Sequence, residues 1–225
     1  MEEIMRQQEL ATKRGLTELV FILDKSGSMA GQESDTIGGF NSMLAKQKAE
    51  PGEAFVTTVL FDHGYELLHE RIGIQAVPPI TGKEYQVGGT TALNDAVCAT
   101  ILAIQKAQQL AAEGCRPEQT LFVIITDGEE NASQEFTTER VKEMIERQKE
   151  EYGWEFIFLG ANIDSIKNAR DIGIDADNAQ DYFDEIFQIF NEKVSKAVSS
   201  VRGTGKVGTA WRDIISENSD SCKVK

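Results

Sequence analysis

Three side chains at alternate positions of one short stretch, Asp24, Ser26 and Ser28 in "LVFILDKSGSM", have the types and spacing to converge on a single centre. A buried strand can finish in any polar turn, yet this one finishes in a carboxylate and two hydroxyls. A second apolar run, "TLFVIITDGEEN", ends in Asp127. A third segment, "VGGTTALND", offers Thr90, with Thr91 as runner-up, just before a helical pattern. Gly88 and Gly89 ahead of it give the backbone freedom to approach. Together these side chains form an all-oxygen donor set without imidazole or thiolate, suited to a hard divalent cation. Each loop alone reads as an N-cap or turn, since Ser and Asp before helices do this routinely. Three of them at the ends of consecutive strands read as a site.

The elements that must position these residues are legible from periodicity. Residues 17–24, 120–127 and 154–162 are continuous apolar runs of strand length, as expected of strands buried on both faces. Residues 54–62 and 65–72 read as a tightly joined pair turning through His63 and Gly64, and 178–183 as a last short strand. Helical spacing marks 34–48, 92–112, 138–150, a short helix from Ser165, and 184–201. In that last helix Ile186, Phe187, Phe190, Val194, Val198 and Val201 form the apolar face, which is expected to cover the sheet. Gly38 and Gly39 weaken the first helix or mark a close approach to the sheet. The prolines and glycines of 75–89 predict a long loop. Strands alternating with helices imply an α/β fold: a Rossmann-like, three-layer α/β/α sandwich, its central sheet mostly parallel with one antiparallel edge strand. In such sheets ligands bind beyond the carboxyl ends of the strands, where all three polar loops fall.

The chain has 225 residues and a formal net charge of −14, which argues against general affinity for nucleic acid or anionic membranes. Cys98, Cys115 and Cys222 are odd in number and widely spaced, so neither a disulfide framework nor a zinc ribbon is expected, and Cys98 should be a buried free thiol. No signal peptide and no stretch of membrane-spanning length is found, which predicts a cytoplasmic protein. The expected organisation is an N-terminal extension over 1–15, one domain over 16–202 and a loosely ordered tail over 203–225.

The constellation resembles the von Willebrand factor type A domain with its metal-ion-dependent adhesion site, as a stand-alone, bacterial-type member. That family carries D-x-S-x-S after the first strand, a threonine before a later helix and an aspartate after the central strand. "DKSGS" supplies Asp24, Ser26 and Ser28, "GGT" supplies Thr90, and "TDG" supplies Asp127. The resemblance implies Mg²⁺ or Mn²⁺ held by these five side chains, directly or through water. It also implies an open coordination position for an Asp or Glu carboxylate of a protein partner. The function expected is a non-catalytic, divalent-cation-dependent protein-binding module.

Two rivals follow from the same residues. A metal-dependent phosphoester hydrolase would need a general base or a phosphate clamp, for which Lys25 and Lys83 are the candidates. An assembly subunit of an intracellular ATPase or stress-response complex would use the last helix and the tail. Lys25 is expected to point away from the site, and Glu129, Glu130 and Asn131 to border it as surface acceptors. His63 and His69 are expected at the surface. "GTGKVG" follows a helix instead of a strand, so it is not a dinucleotide fingerprint.

Overall fold

A computed structural model describes residues 15–112, 114–160, 165–181, 186–208 and 211. Six strands form one sheet in the order β3-β2-β1-β4-β5-β6. They are β1 (Thr17–Asp24), β2 (Ala54–Phe61), β3 (Tyr65–Gly73), β4 (Gln119–Thr126), β5 (Glu155–Gly160) and β6 (Ala179–Asp181). Every pairing is parallel except β2 with β3, so the antiparallel edge strand expected from the sequence is β3. The mixed α/β architecture follows that expectation.

The helices are α1 (Glu33–Ala49), α2 (Leu93–Leu110), α3 (Thr138–Tyr152), α4 (Ser165–Asp171) and α5, residues 186–204. Alternate residues of β1 serve opposite faces, as the pleat requires. Leu19, Phe21 and Leu23 join the core beneath α1 and α5, while Val20 and Ile22 join the core beneath α2, α3 and α4. Both faces of the central strands are therefore covered, which is why they read as unbroken apolar runs. Cys98 is buried and free in the second core, where burial pushes its thiol up to about 12. Among the described residues no helix is long and apolar enough to cross a membrane.

Three expectations change once the layers are assembled. Gly38 and Gly39 do not interrupt α1, and the surface they admit is α5, not the sheet. A Cβ on Gly39 would lie 2.9 Å from the Phe190 Cβ and 3.1 Å from the Phe187 Cα. Within α5, residues Ile189–Val194 are π-helical, between an α-turn at Ile186–Gln188 and an α-helical stretch at Ser195–Thr204. That wider turn shifts the helical phase, so Phe190 is buried while Phe187 is 40% exposed, contrary to the expected apolar face.

His69 is the third correction. It is 3% exposed, with Nδ1 3.0 Å from the Thr58 hydroxyl across the β2–β3 pair, whereas His63 lies at the surface as expected. In the C-terminal segment, of which residues 203–208 and 211 are described, Val207 packs against the core beneath α5, and Trp211 is buried in it. Residues 1–14, 161–164 and 182–185, on which part of the sequence reading falls, lie outside the described residues.

Two consequences can be measured. Gly39→Ala should destabilise the fold by ~1–3 kcal/mol in denaturant unfolding, because helix backbone and a ring must yield to one methyl. Burial holds the His69 imidazole below its ordinary value. The unfolded chain therefore binds the extra proton first, and stability should fall as pH drops below about 6.5. A His69→Gln variant should lack that part of the slope in urea melts between about pH 5 and 7.

Candidate functional site

Asp24 closes β1 and is fully buried. The parallel register pairs Leu23 with Ile125, which sets Asp24 beside Thr126 at the end of β4. The Thr126 hydroxyl donates to Asp24 Oδ2 at 2.5 Å, and the Ser26 amide donates to Oδ1 at 2.6 Å. Ser28 donates to Asp127 Oδ1 at 2.5 Å. Ser26 Oγ lies 3.0 Å from Ser28 Oγ. Because the single Ser28 proton goes to Asp127, Ser26 is the donor between the two hydroxyls. A continuous chain of oxygens thus joins the β1 loop to the β4 loop.

Thr91 completes the group from the third loop. A Cβ on Gly128 would meet Thr91 Oγ1 at 2.7 Å and Ser28 Oγ at 3.2 Å, so the residue after Asp127 lies directly against both hydroxyls. Only glycine permits that approach. Thr91 is 2% exposed, whereas Thr90, favoured by the sequence reading, is an exposed residue. The structure gathers Asp24, Ser26, Ser28, Thr91 and Asp127, whereas Thr90 stands exposed. Consecutive threonines face opposite ways, and composition alone does not reveal which turns inward.

Burial raises the pKa of Asp24, against the lowering effect of Thr126 and Ser26, and the nearby Asp127 charge adds slightly. Burial also raises Asp127, offset in part by Ser28. Both carboxylates are thus held where their charge is poorly solvated. Lys25 gives no relief: its ammonium lies 3.3 Å from Glu66 and 3.7 Å from Asp62, turned away as expected. Two under-compensated carboxylates beside three hydroxyls fit a hard divalent cation by donor chemistry and by charge. The helices α1 and α2 begin just after Ser28 and Thr91, so their N-terminal dipole ends lie close by.

Several contributors escaped the sequence reading. The Tyr85 hydroxyl, from the long loop after β3, donates to the Asp24 carbonyl oxygen from a buried position. Gln32 donates to Asp127 Oδ2 at 3.4 Å. Glu130 and Asn131, expected as surface acceptors, accept from backbone amides at and after Thr91. Glu129 is exposed, as expected. Thr126 had a signal, since it directly precedes Asp127 in an otherwise apolar strand. Tyr85 had none, because nothing in a loop sequence states what a tyrosine reaches.

The fold defines a class. The sheet order and the antiparallel edge are those of a von Willebrand factor type A fold, and solved structures agree. A von Willebrand factor type A protein from Catenulispora acidiphila superposes with a TM-score of 0.57 at 17% identity, covering 81% of this chain and 42% of that one. The manganese-loaded TRAP protein of Plasmodium vivax gives 0.52 at 16% identity, covering 79% and 74%. The ArnB paralog VWA2 from Sulfolobus acidocaldarius gives 0.51 at 16% identity, covering 80% and 45%. The chain therefore spans less than half the length of two of these three. No protein-family model and no curated protein matches the sequence. The chain has the von Willebrand factor type A fold.

The two threonines can be told apart directly. For a cation held by this group, Thr91→Val should weaken Mn²⁺ affinity roughly tenfold or more, while Thr90→Val should leave it within about twofold. Calorimetric Mn²⁺ titration of the two variants decides between them.

Proposed function

We propose that the protein is a divalent-cation-dependent protein-binding module, with Mg²⁺ or Mn²⁺ held by Ser26, Ser28, Thr91, Asp24 and Asp127, directly or through water. The observation that carries this reading is the convergence, beyond the carboxyl ends of β1 and β4, of the buried Asp24 and half-buried Asp127 carboxylates, both raised in pKa by loss of water, with the hydroxyls of Ser26, Ser28 and Thr91. Among the described residues no lysine or arginine pairs with either carboxylate. The likeness to a manganese-loaded TRAP protein supports a divalent ion in a fold of this kind.

A cation bound here would supply an electrophilic position for an oxygen ligand brought from outside, and an Asp or Glu side chain of a protein partner has the matching charge. The chain's own residues do the rest. Asp24 and Asp127 lower the net charge of the centre, and the hydroxyls donate lone pairs without adding charge. Tyr85 and Thr126 hold the Asp24 end rigid. The hydrolase alternative loses support because Lys25, one of its two possible phosphate clamps, is tied to Asp62 and Glu66.

Saturating Mn²⁺ or Mg²⁺ at one hundred times its dissociation constant should stabilise the wild type by roughly 3 kcal/mol. Asp127→Asn should show no such response. Its metal-free form should be at least as stable as the metal-free wild type, because the substitution removes an under-solvated charge and keeps the shape. Thermal melts with and without metal test this. An equal response from both proteins, or none from the wild type, would overturn the proposal.

A further inference from the structure

Thr91 is held by a route that strand pairing does not provide. It sits at the far end of the long loop after β3, and no sheet hydrogen bond fixes it relative to β4. Its backbone is instead gripped from the loop after Asp127. The Thr91 amide donates to Asn131 Oδ1 at 2.9 Å, while the amides of Asn131 and Ala132 donate to the Thr91 carbonyl at 3.0 and 3.2 Å. Thr91 is buried, so both its backbone polar groups need such partners.

The surrounding bonds make this grip part of a larger clasp. Glu130 accepts from the Asn94 amide on one carboxylate oxygen, and from the Ala132 and Ser133 amides on the other. Ser133 Oγ donates to Glu130 and accepts from the Asp95 amide. The Asp95 carboxylate in turn accepts from the amides of Gln134, Glu135 and Phe136. The first amides of α2, which no helix can satisfy internally, are thus satisfied by the segment that follows Asp127.

We infer that Asn131 is a positioning residue for the metal site, fixing Thr91 against Asp127 and thereby setting metal affinity without itself being a ligand. The inference rests on the metal-binding reading above. The logic is one of preorganisation. Ser26, Ser28 and Asp127 follow closely on the adjacent strands β1 and β4, whereas Thr91 ends a long loop; its neighbour Ala92 is tied to the Asp62 carbonyl at 2.7 Å, and Thr91 itself to the segment after Asp127. Asn131 lies in the same short segment as Asp127 and is the one side chain in the clasp that bonds the Thr91 backbone. Outer partners of this kind orient a ligand that touches the ion. Metal binding should correspondingly tighten the clasp.

The test compares wild type, Asn131→Ala and Ser133→Ala by Mn²⁺ calorimetry, metal-free thermal melts, and hydrogen exchange over residues 128–136. Asn131 is exposed, so its removal should leave the metal-free protein folded. Ser133→Ala loosens the same clasp without touching Thr91, and so reports a merely structural role. The expected result is Mn²⁺ affinity roughly tenfold weaker for Asn131→Ala and within about twofold of wild type for Ser133→Ala. Metal should slow exchange of the Asn131 and Ala132 amides in the wild type and do so less in Asn131→Ala. Equal affinity of Asn131→Ala and wild type would overturn the inference, as would equal losses in both variants. A wild type that does not bind Mn²⁺ would instead remove the metal reading on which the inference stands.

Discussion

The constraint on which the site depends is the burial of the Asp24 carboxylate at the end of the central strand. A carboxylate removed from water costs several kcal/mol unless it is paired or hydrogen-bonded. Here one oxygen has the Ser26 amide and the other the Thr126 hydroxyl. The second donor exists only because β1 and β4 pair in one register. A slip of two residues would preserve every apolar contact pattern and still strand the charge. The polar end of the strand therefore specifies the register that the apolar middle leaves open.

From that pair the site grows outward through loops that hold one another. The β1 loop is bound to the loop before α2, since Gly27 donates to the Gly89 carbonyl at 3.1 Å and Gly88 to the Lys25 carbonyl at 2.9 Å. The Tyr85 ring, buried beneath, closes on the Asp24 carbonyl from the same loop. The loop after β4 is bound to the start of α2 by the bonds around Glu130, Asn131 and Asp95. Function-bearing loops are ordinarily the mobile parts of a fold. These three satisfy one another's backbone groups, so the oxygen cluster is held by mutual hydrogen bonding and not by the sheet alone.

Away from the site, the departures from expectation share one cause: an element's neighbour decides what its residues mean. Glycines at 38 and 39 read as helix weakeners, but the α1–α5 crossing needs one helix to lose its side chains where Phe187 and Phe190 arrive. A histidine on an edge strand reads as exposed, but His69 turns its ring inward against Thr58.

Much of the protein was legible from the chain because the relevant signals are local. Apolar runs fixed the strands, helical spacing fixed the helices, and Asp24, Ser26, Ser28 and Asp127 stood where polar residues interrupt those runs. Such assignments need only the period of two or 3.6 and the cost of burying charge. What tertiary structure alone decided was the burial of Thr91 beside an exposed Thr90, the backing of Asp24 by Tyr85 and Thr126, and the bonding of the exposed Asn131 amide to the Thr91 backbone. Each depends on contacts between segments distant in sequence, where direction is set by backbone path and packing, and neighbouring residues of one type carry no mark of which will face inward.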